Sequence, residues 1–449
     1  MRMKLNRSSQ RSQDQSGTIA EPTESSRRDH QRAATSKAAK NGYFHSGFAL
    51  ALVAAASLLA ASFITACETL TVDFVFVTSA KAAGAENYGE IDVFEINSES
   101  GRMRPIPTSP FPSAGRNPVA EAVSADNLNL FVANHDDNTI VQFIIGTDGK
   151  LYPYNTINTP GIFPLAVAAN KSNMFVVDTY QPLPLCSNAA PCSGSIAVFP
   201  LTAASGNTPV TITSPAVNTA VNGNYWPLTL SGAGSTHVIV PTAVTVLANG
   251  NDVYISAYDS SVSPTVGYIF GFSVGAGGVL APLGGSPYAA GVKPSAIASD
   301  ATSTYVYATD FASGNVRGFS VSSGNLSPLS GSPYPSGNQP SAIAVDPSFS
   351  YAYVANSLDG SVAAFSMSSG VLTRIGTYAA GLQPIAIGID PSTNHFLYTA
   401  NFLDNNVSGF QITTGNGSLL DSQFSPYSTN AQPTAVAAVP HNGTGAGVY

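Results

Sequence analysis

The chain has 449 residues, only 10% of them charged, and a formal net charge of −8; that length suits two or three ordinary domains or one long repeat fold. Nine of its 18 Lys and Arg residues lie in positions 1–47, so from residue 67 onward 9 basic residues stand against 22 acidic ones, a net charge of −13. A body this acidic repels phosphate backbones, which argues against nucleic acid as a partner.

The basic segment leads into "FALALVAAASLLAASFITAC", an apolar run from Phe48 to Ala66 that carries no charge and ends at Cys67. A basic region, an apolar stretch and a small residue before a cut together read as an export signal. Ile64-Thr65-Ala66-Cys67 resembles the bacterial lipobox, in which the Cys is diacylated and becomes the mature N-terminus. The alternatives are ordinary cleavage nearby or an uncleaved anchor, since about 20 apolar residues can span a bilayer. Residues 1–66 are set apart as a leader, and the expected location is the cell envelope, with membrane contact through a lipid anchor only.

From residue 67 to 440 the chain repeats a unit of short β-rich runs separated by Gly, Pro, Ser and Asn, and residues 441–449 form a tail. Each unit opens at a proline (Pro118, Pro164, Pro241, Pro294, Pro340, Pro384, Pro433), at spacings of 46, 77, 53, 46, 44 and 49 residues. The second run of each unit is the clearest, in chain order "DFVFVTS", "LNLFVAN", "NMFVVD", "DVYISAY", "YVYATD", "YAYVAN" and "FLYTAN". A period near 45 with four strands per unit predicts an all-β fold, a seven-bladed β-propeller. The last unit, "QPTAVAAVP", has a first strand and no blade after it, while the first blade lacks that strand. Residues 434–439 are therefore expected to complete blade 1 and close the ring, removing edges that would pair with other chains; a monomer is expected. Cys186 and Cys192, in "LCSNAAPCSG", are an even pair in an exported chain and predict a disulfide across a long loop.

The phrases "YVANSLDGSVAAFSMSSG" and "YTANFLDNNVSGFQITTGNGSL" resemble the YVTN-type repeats of the bacterial lactonase-like seven-bladed propellers, a group that includes 6-phosphogluconolactonase-like enzymes. The resemblance covers about residues 70–440 and implies the propeller fold; hydrolysis of a sugar lactone is the activity it implies. The repeats do not carry any lactonase catalytic residue onto this chain, because they specify fold rather than chemistry.

The repeat also serves as an internal ruler. Two residues after each anchor proline stands an Ala (Ala120, Ala166, Ala243, Ala296, Ala342, Ala386, Ala435), small enough for the convergence of blades on the axis. The next position is Val or Ile in six units and Glu121 in the other. A carboxylate there must face a wet channel, find a cation or have a raised pKa. Arg116 precedes it on the loop approaching the same strand, and His135, Asp136 and Asp137 follow the second strand of the same blade. Glu121, Arg116 and His135 are the candidate catalytic trio, since an acid, a base and a cation at one mouth suit lactone hydrolysis. The plainer reading is a salt bridge of Glu121 with Arg116 or Lys293 and a solvated "HDDN" turn.

Long loops between second and third strands decorate blades 1, 3 and 4, and binding commonly sits on such loops. Asp136, Asp137, Tyr180, Tyr258 and Lys293 are the candidate ligand-binding residues at this mouth. Tyr180, Tyr225, Trp226 and Tyr258 either present aromatic surface or pack the insertions down. Besides His135, the body holds His237 and His395, the latter in a turn expected on the opposite face. Asp300, Asp346 and Asp390 recur at one turn position and read as turn formers, and neither a metal nor another cofactor is expected. The reading drawn from the residues is binding of a carbohydrate-like ligand or a cell-envelope partner at the blade 1–4 side of one mouth. Its alternatives are sugar-lactone hydrolysis and a purely architectural surface role.

Overall fold

Runs of β-branched and aromatic residues, each ended by a turn residue, form strands whose successive side chains point to opposite faces. A computed structural model describes residues 71–80, 88–184, 186–203, 209–230, 237–348 and 350–441; the leader and Cys67 lie outside these. The strands assemble into seven antiparallel sheets of four or five strands, one per repeat. Blade 2 shows the plan, with Pro118–Val123 innermost, then Asn129–Asn134, Thr139–Ile145 and Leu151–Asn158. The innermost strands of blades 3 to 7 are Ile162–Ala169, Ile239–Val246, Pro294–Ser299, Pro340–Val345 and Pro384–Ile389.

Blade 1 is completed by the far end of the chain, as the repeat count predicts. Gln432–Pro440 pairs antiparallel with Thr71–Ala80, in a register that sets Phe76 opposite Ala437 and Val77 opposite Val436. The innermost strand of each blade touches that of the next all the way round, including Gln432–Pro440 with Pro118–Val123.

In all seven blades the pairing of first and second strands slips by one residue just after the anchor proline, as between Pro118 and Ala120 or Pro340 and Ala342. The bulged residue turns aside and, where it carries a hydroxyl, can reach the next blade. Ser295 Oγ donates to the Pro340 carbonyl at 2.5 Å, Ser341 Oγ to that of Pro384 at 2.6 Å, and Thr434 Oγ1 to that of Pro118 at 2.8 Å.

The apolar interior is divided into seven clusters, one at each seam between neighbouring blades. The Ala of the repeat packs toward the following blade, as Ala243 and Ala296 do. The residue after it packs toward the preceding one, as Ile297 and Ile343 do. This refines the expectation that these positions mark the axis, because strand alternation aims the two side chains into opposite seams. Fully buried tyrosines add a polar tie in the later blades: Tyr254, Tyr307 and Tyr353 donate to the carbonyls of Gly324, Gly370 and Gly417 in the outer hairpin of the next blade. Those three glycines have φ of 78°, 81° and 70°, the left-handed region that other residues avoid.

Removing residues 432–449 leaves Thr71–Ala80 as an unpaired inner edge and strips one wall from two seams. The truncated chain is expected to lose cooperative thermal unfolding and to aggregate, read by calorimetry and size-exclusion chromatography. Thr434→Val, which removes one inter-blade hydrogen bond, is expected to cost about 1 kcal/mol in urea unfolding.

Candidate functional site

The loops that approach the innermost strands and the loops between second and third strands share one face of the ring, the mouth. Arg116, expected on a loop, ends the strand Phe111–Arg116, which pairs with Tyr88–Asn97 of blade 1. His135 N–H bonds the Asn117 carbonyl and Asp136 N–H that of Arg116, which ties this strand end to the blade 2 loop. Arg116 is held by Asp137: its backbone N–H donates to Oδ2 at 2.7 Å, and its Nη2 lies 2.5 Å from Oδ1. Its Nη2 also reaches the Asp136 carbonyl at 3.4 Å.

His135 Nδ1 lies 2.7 Å from Asp136 Oδ1, which also accepts from Asn117 Nδ2 at 3.2 Å. Since a carboxylate only accepts, the Nδ1 carries the proton and Nε2 is left as the basic nitrogen. Burial pushes the Asp136 carboxyl up, but the hydrogen bonds from His135 and Asn117 outweigh it and hold the group below the ordinary carboxylate range. The imidazole stacks on Phe163 of blade 3, with centroids 4.5 Å apart and planes 5° from parallel. Phe163 has φ of 60°, unusual for an aromatic residue, and is fixed there by hydrogen bonds from its N–H to Asn138 Oδ1 at 2.6 Å and from Thr179 Oγ1 to its carbonyl at 2.9 Å.

Tyr180 lies 6.0 Å from Phe163 and donates its hydroxyl to Asn188 in the loop closed by the Cys186–Cys192 disulfide. At 8% exposure it braces that loop more than it lines the mouth. Trp226 is 5% exposed and packs with Ile196, Leu228 and Ile239, so it too serves the insertion of blade 3.

Blade 4 presents a second imidazole and carboxylate. His237 Nδ1 hydrogen-bonds Asp259 Oδ2, and Asp259, 1% exposed, is fixed through Oδ1 by the N–H and hydroxyl of Ser261. Burial raises the Asp259 carboxyl, and these bonds bring it below its ordinary value. By the ruler Asp259 occupies the repeat position of Asp136, four residues after Ile255 as Asp136 is after Val132, so the acid was legible once the blades were superposed, whereas His237, four residues before Pro241, does not share the repeat position of His135. Between blades 4 and 5, the Lys293 ammonium sits 5.2 Å from the Tyr258 ring and 5.4 Å from that of Phe311.

Glu121 stands apart from these groups. It pairs in register with Val132, three residues below His135, and a strand rises about 3.3 Å per residue. Its Oε2 accepts from Thr78 Oγ1 at 2.5 Å, and the backbone of Ala437 also bonds the carboxyl; both belong to blade 1. The side chain thus points into the seam between blades 1 and 2, where its counterparts in other blades are aliphatic. The structure does not bring Glu121 together with Arg116 and His135, nor does it form the salt bridge with Arg116 or Lys293. Of the three outcomes open to it, its surroundings favour the raised pKa: burial lifts it to about 8, with the bonds from Thr78 and Ala437 opposing, while Oε1 is sealed without a partner.

The recurring acids are structural. Asp300, Asp346 and Asp390 accept from the N–H and hydroxyl groups of their own turns, and His395 sits in the last of these on the opposite face. Among the described residues no group of three or more His, Cys, Asp or Glu side chains is arranged to hold a metal.

Residues 325–437 match the family model "Lactonase, 7-bladed beta-propeller". A candidate 6-phosphogluconolactonase from Bacteroides fragilis superposes with a TM-score of 0.64 over 83% of this chain and 99% of its own, at 19% identity. A second, from Bacteroides uniformis, gives 0.62 over 82% and 100%, also at 19%. The periplasmic gluconolactonase of Pseudomonas aeruginosa gives 0.62 over 82% and 99%, at 16%. No match to a curated protein was found by sequence. The lactonase-like resemblance carried by the repeat phrases is therefore met in sequence over the last blades and in fold over nearly the whole ring.

An unfolded Glu titrates near 4.5 and the folded Glu121 near 8. Between those values the unfolded chain releases a proton that the folded chain keeps, so this contribution is fully present below about pH 4.5 and is lost as pH rises to about 8. Asp178, raised by burial to about 7, acts in the same direction. Unfolding free energy measured by urea titration from pH 5 to 8 is expected to fall, and Glu121→Gln to flatten the slope by up to roughly 1.4 kcal/mol per pH unit. An unchanged slope would place the carboxylate in water.

Proposed function

We propose that the mouth over blades 2 to 4 binds a carbohydrate-like lactone and hydrolyses it, with His135 as the base. The observation that carries this reading is the imidazole oriented by Asp136, stacked on Phe163 and set beside Arg116. Water attacking the lactone carbonyl gives its proton to His135 Nε2, and the N–H groups of Arg116 steady the oxyanion. As the ring C–O bond breaks, the imidazolium returns the proton to the departing oxygen, and the product is the open hydroxy acid. Glu121 has a structural role in this reading, and the names of the solved propellers similar to this chain lend support to the reaction class.

A second reading, binding without turnover, is favoured by one specific contact. Asp137 already compensates the Arg116 charge at 2.5 Å, which weakens it as an electrophile. For the envelope location, Cys67 after the apolar run supports a lipid anchor that holds the propeller at the membrane surface; Cys67 falls outside the described residues.

Assayed with δ- and γ-lactones of sugars, the protein is expected to turn over at least one above the spontaneous rate. His135→Gln should lower kcat by about 100-fold or more with little change in melting temperature. No turnover of any lactone, together with saturable binding, would replace hydrolysis by binding. Mass spectrometry of the N-terminal peptide from the membrane fraction is expected to show a diacylated Cys67, and an unmodified one would end the anchor assignment.

A further inference from the structure

We propose that the pocket between the mouths of blades 5 and 6 is a binding site for a small ligand bearing an oxyanion, a carboxylate or a phosphate, gripped by Lys293. This goes beyond the lactone reading and does not rest on it. The pocket is an open depression of about 460 Å³ lined by Lys293, Phe311, Ser313, Asn338, Gln339 and Leu358. That volume is in the range of small-ligand sites.

The repeat identifies the lysine as a departure. The residue before the anchor proline is Asn117, Phe163, Val240, Gln339, Gln383 and Gln432 in the other six units, and only blade 5 places a charge there. Its backbone is pinned, with the N–H donating to Asp310 Oδ1 at 3.0 Å and the carbonyl accepting from Phe311 at 2.9 Å. Its ammonium lies over two rings, those of Tyr258 and Phe311, which restrict the flexible stem and leave its N–H donors without a carboxylate.

The acids nearby are already engaged. Asp310 is wholly buried, accepts from the backbone of Val292 and Lys293 and lies 3.8 Å from Arg317 Nε. Asp359 holds the backbone and side-chain N–H groups of Asn338, and Asp259 is bonded to His237 and Ser261. Among the described residues no ion pair joins Lys293 to a carboxylate. A cation left uncompensated in so acidic a body, at the wall of a pocket, is matched by an anion from outside. The Gln339 amide adds a hydrogen-bonding group, and Leu358, 66% exposed, adds an apolar edge. A small carboxylate or phosphate carried on a polar body combines those features.

Isothermal titration at low salt with sodium gluconate and, separately, inorganic phosphate tests the proposal. At least one anion is expected to bind with a Kd of about 1 mM or tighter, to weaken as salt rises, and to lose roughly tenfold or more in Lys293→Met, which keeps the stem on the rings. Lys293→Arg should retain most of the affinity. Preference for one probe identifies the anion. The titration reads binding and not turnover, so a failed lactone assay leaves this result standing. Binding of neither anion by about 20 mM, or equal affinity in Lys293→Met, would overturn the site and leave the lysine as a brace between two rings.

Discussion

Each blade of this propeller carries apolar side chains on both faces and has no core of its own, so it is stable only with a neighbour against either side. The seven clusters at the seams are the hydrophobic interior, and the ring must close for the first and last of them to exist. Gln432–Pro440 supplies walls to both, contributing Val439 to the seam with blade 2 and Val436 to that with blade 7. At the latter seam the carboxyls of Asp73 and Asp390 hydrogen-bond to one another, Asp73 driven up by burial and by its neighbour. Asp390, despite its own burial, is held low by bonds from Asp73 and Thr393. One proton shared by two carboxyls allows both to be buried where the chain ends meet.

The same demand explains why a glutamate in the repeat need not be a catalytic one. A side chain at that position enters a seam, whatever its chemistry. Glu121 meets it by accepting bonds from Thr78 and Ala437 and by keeping its proton, at the expense of an unpartnered Oε1. Side chains that stay in water belong to the loops beyond the strand ends, where no packing constraint applies. There the blades differ: imidazole and carboxylate pairs on blades 2 and 4, a lysine over rings between blades 4 and 5, and exposed leucines, Leu358 and Leu403, on blades 6 and 7. Chemistry on a rigid ring concentrates where the repeat is free to vary.

Fold was legible because its causes are local and repeated. Alternation of period two, turn residues at set offsets and a recurrent proline specify a blade within about 45 residues, and an unpaired first strand at the end of the chain implies closure. Arg116, His135, Asp136 and Asp137 were found at one mouth by the same reasoning, because loop positions follow from strand direction. Tyr180 and Trp226 could not be judged in this way, since whether an aromatic side chain lines a surface or braces an insertion depends on what covers it.

What the chain determined by itself is the seven-bladed ring, its closure by residues 434–439, which the structure extends to Gln432–Pro440, and the set of polar groups at the mouth. Tertiary structure alone decided which groups meet: Glu121 with Thr78 across a seam, His135 with the ring of Phe163, His237 with Asp259, and Lys293 with two rings in place of a carboxylate. The reason is physical. Strand period is a property of neighbours in sequence, whereas a contact across a seam depends on two blades whose separation and rotamers no local pattern encodes.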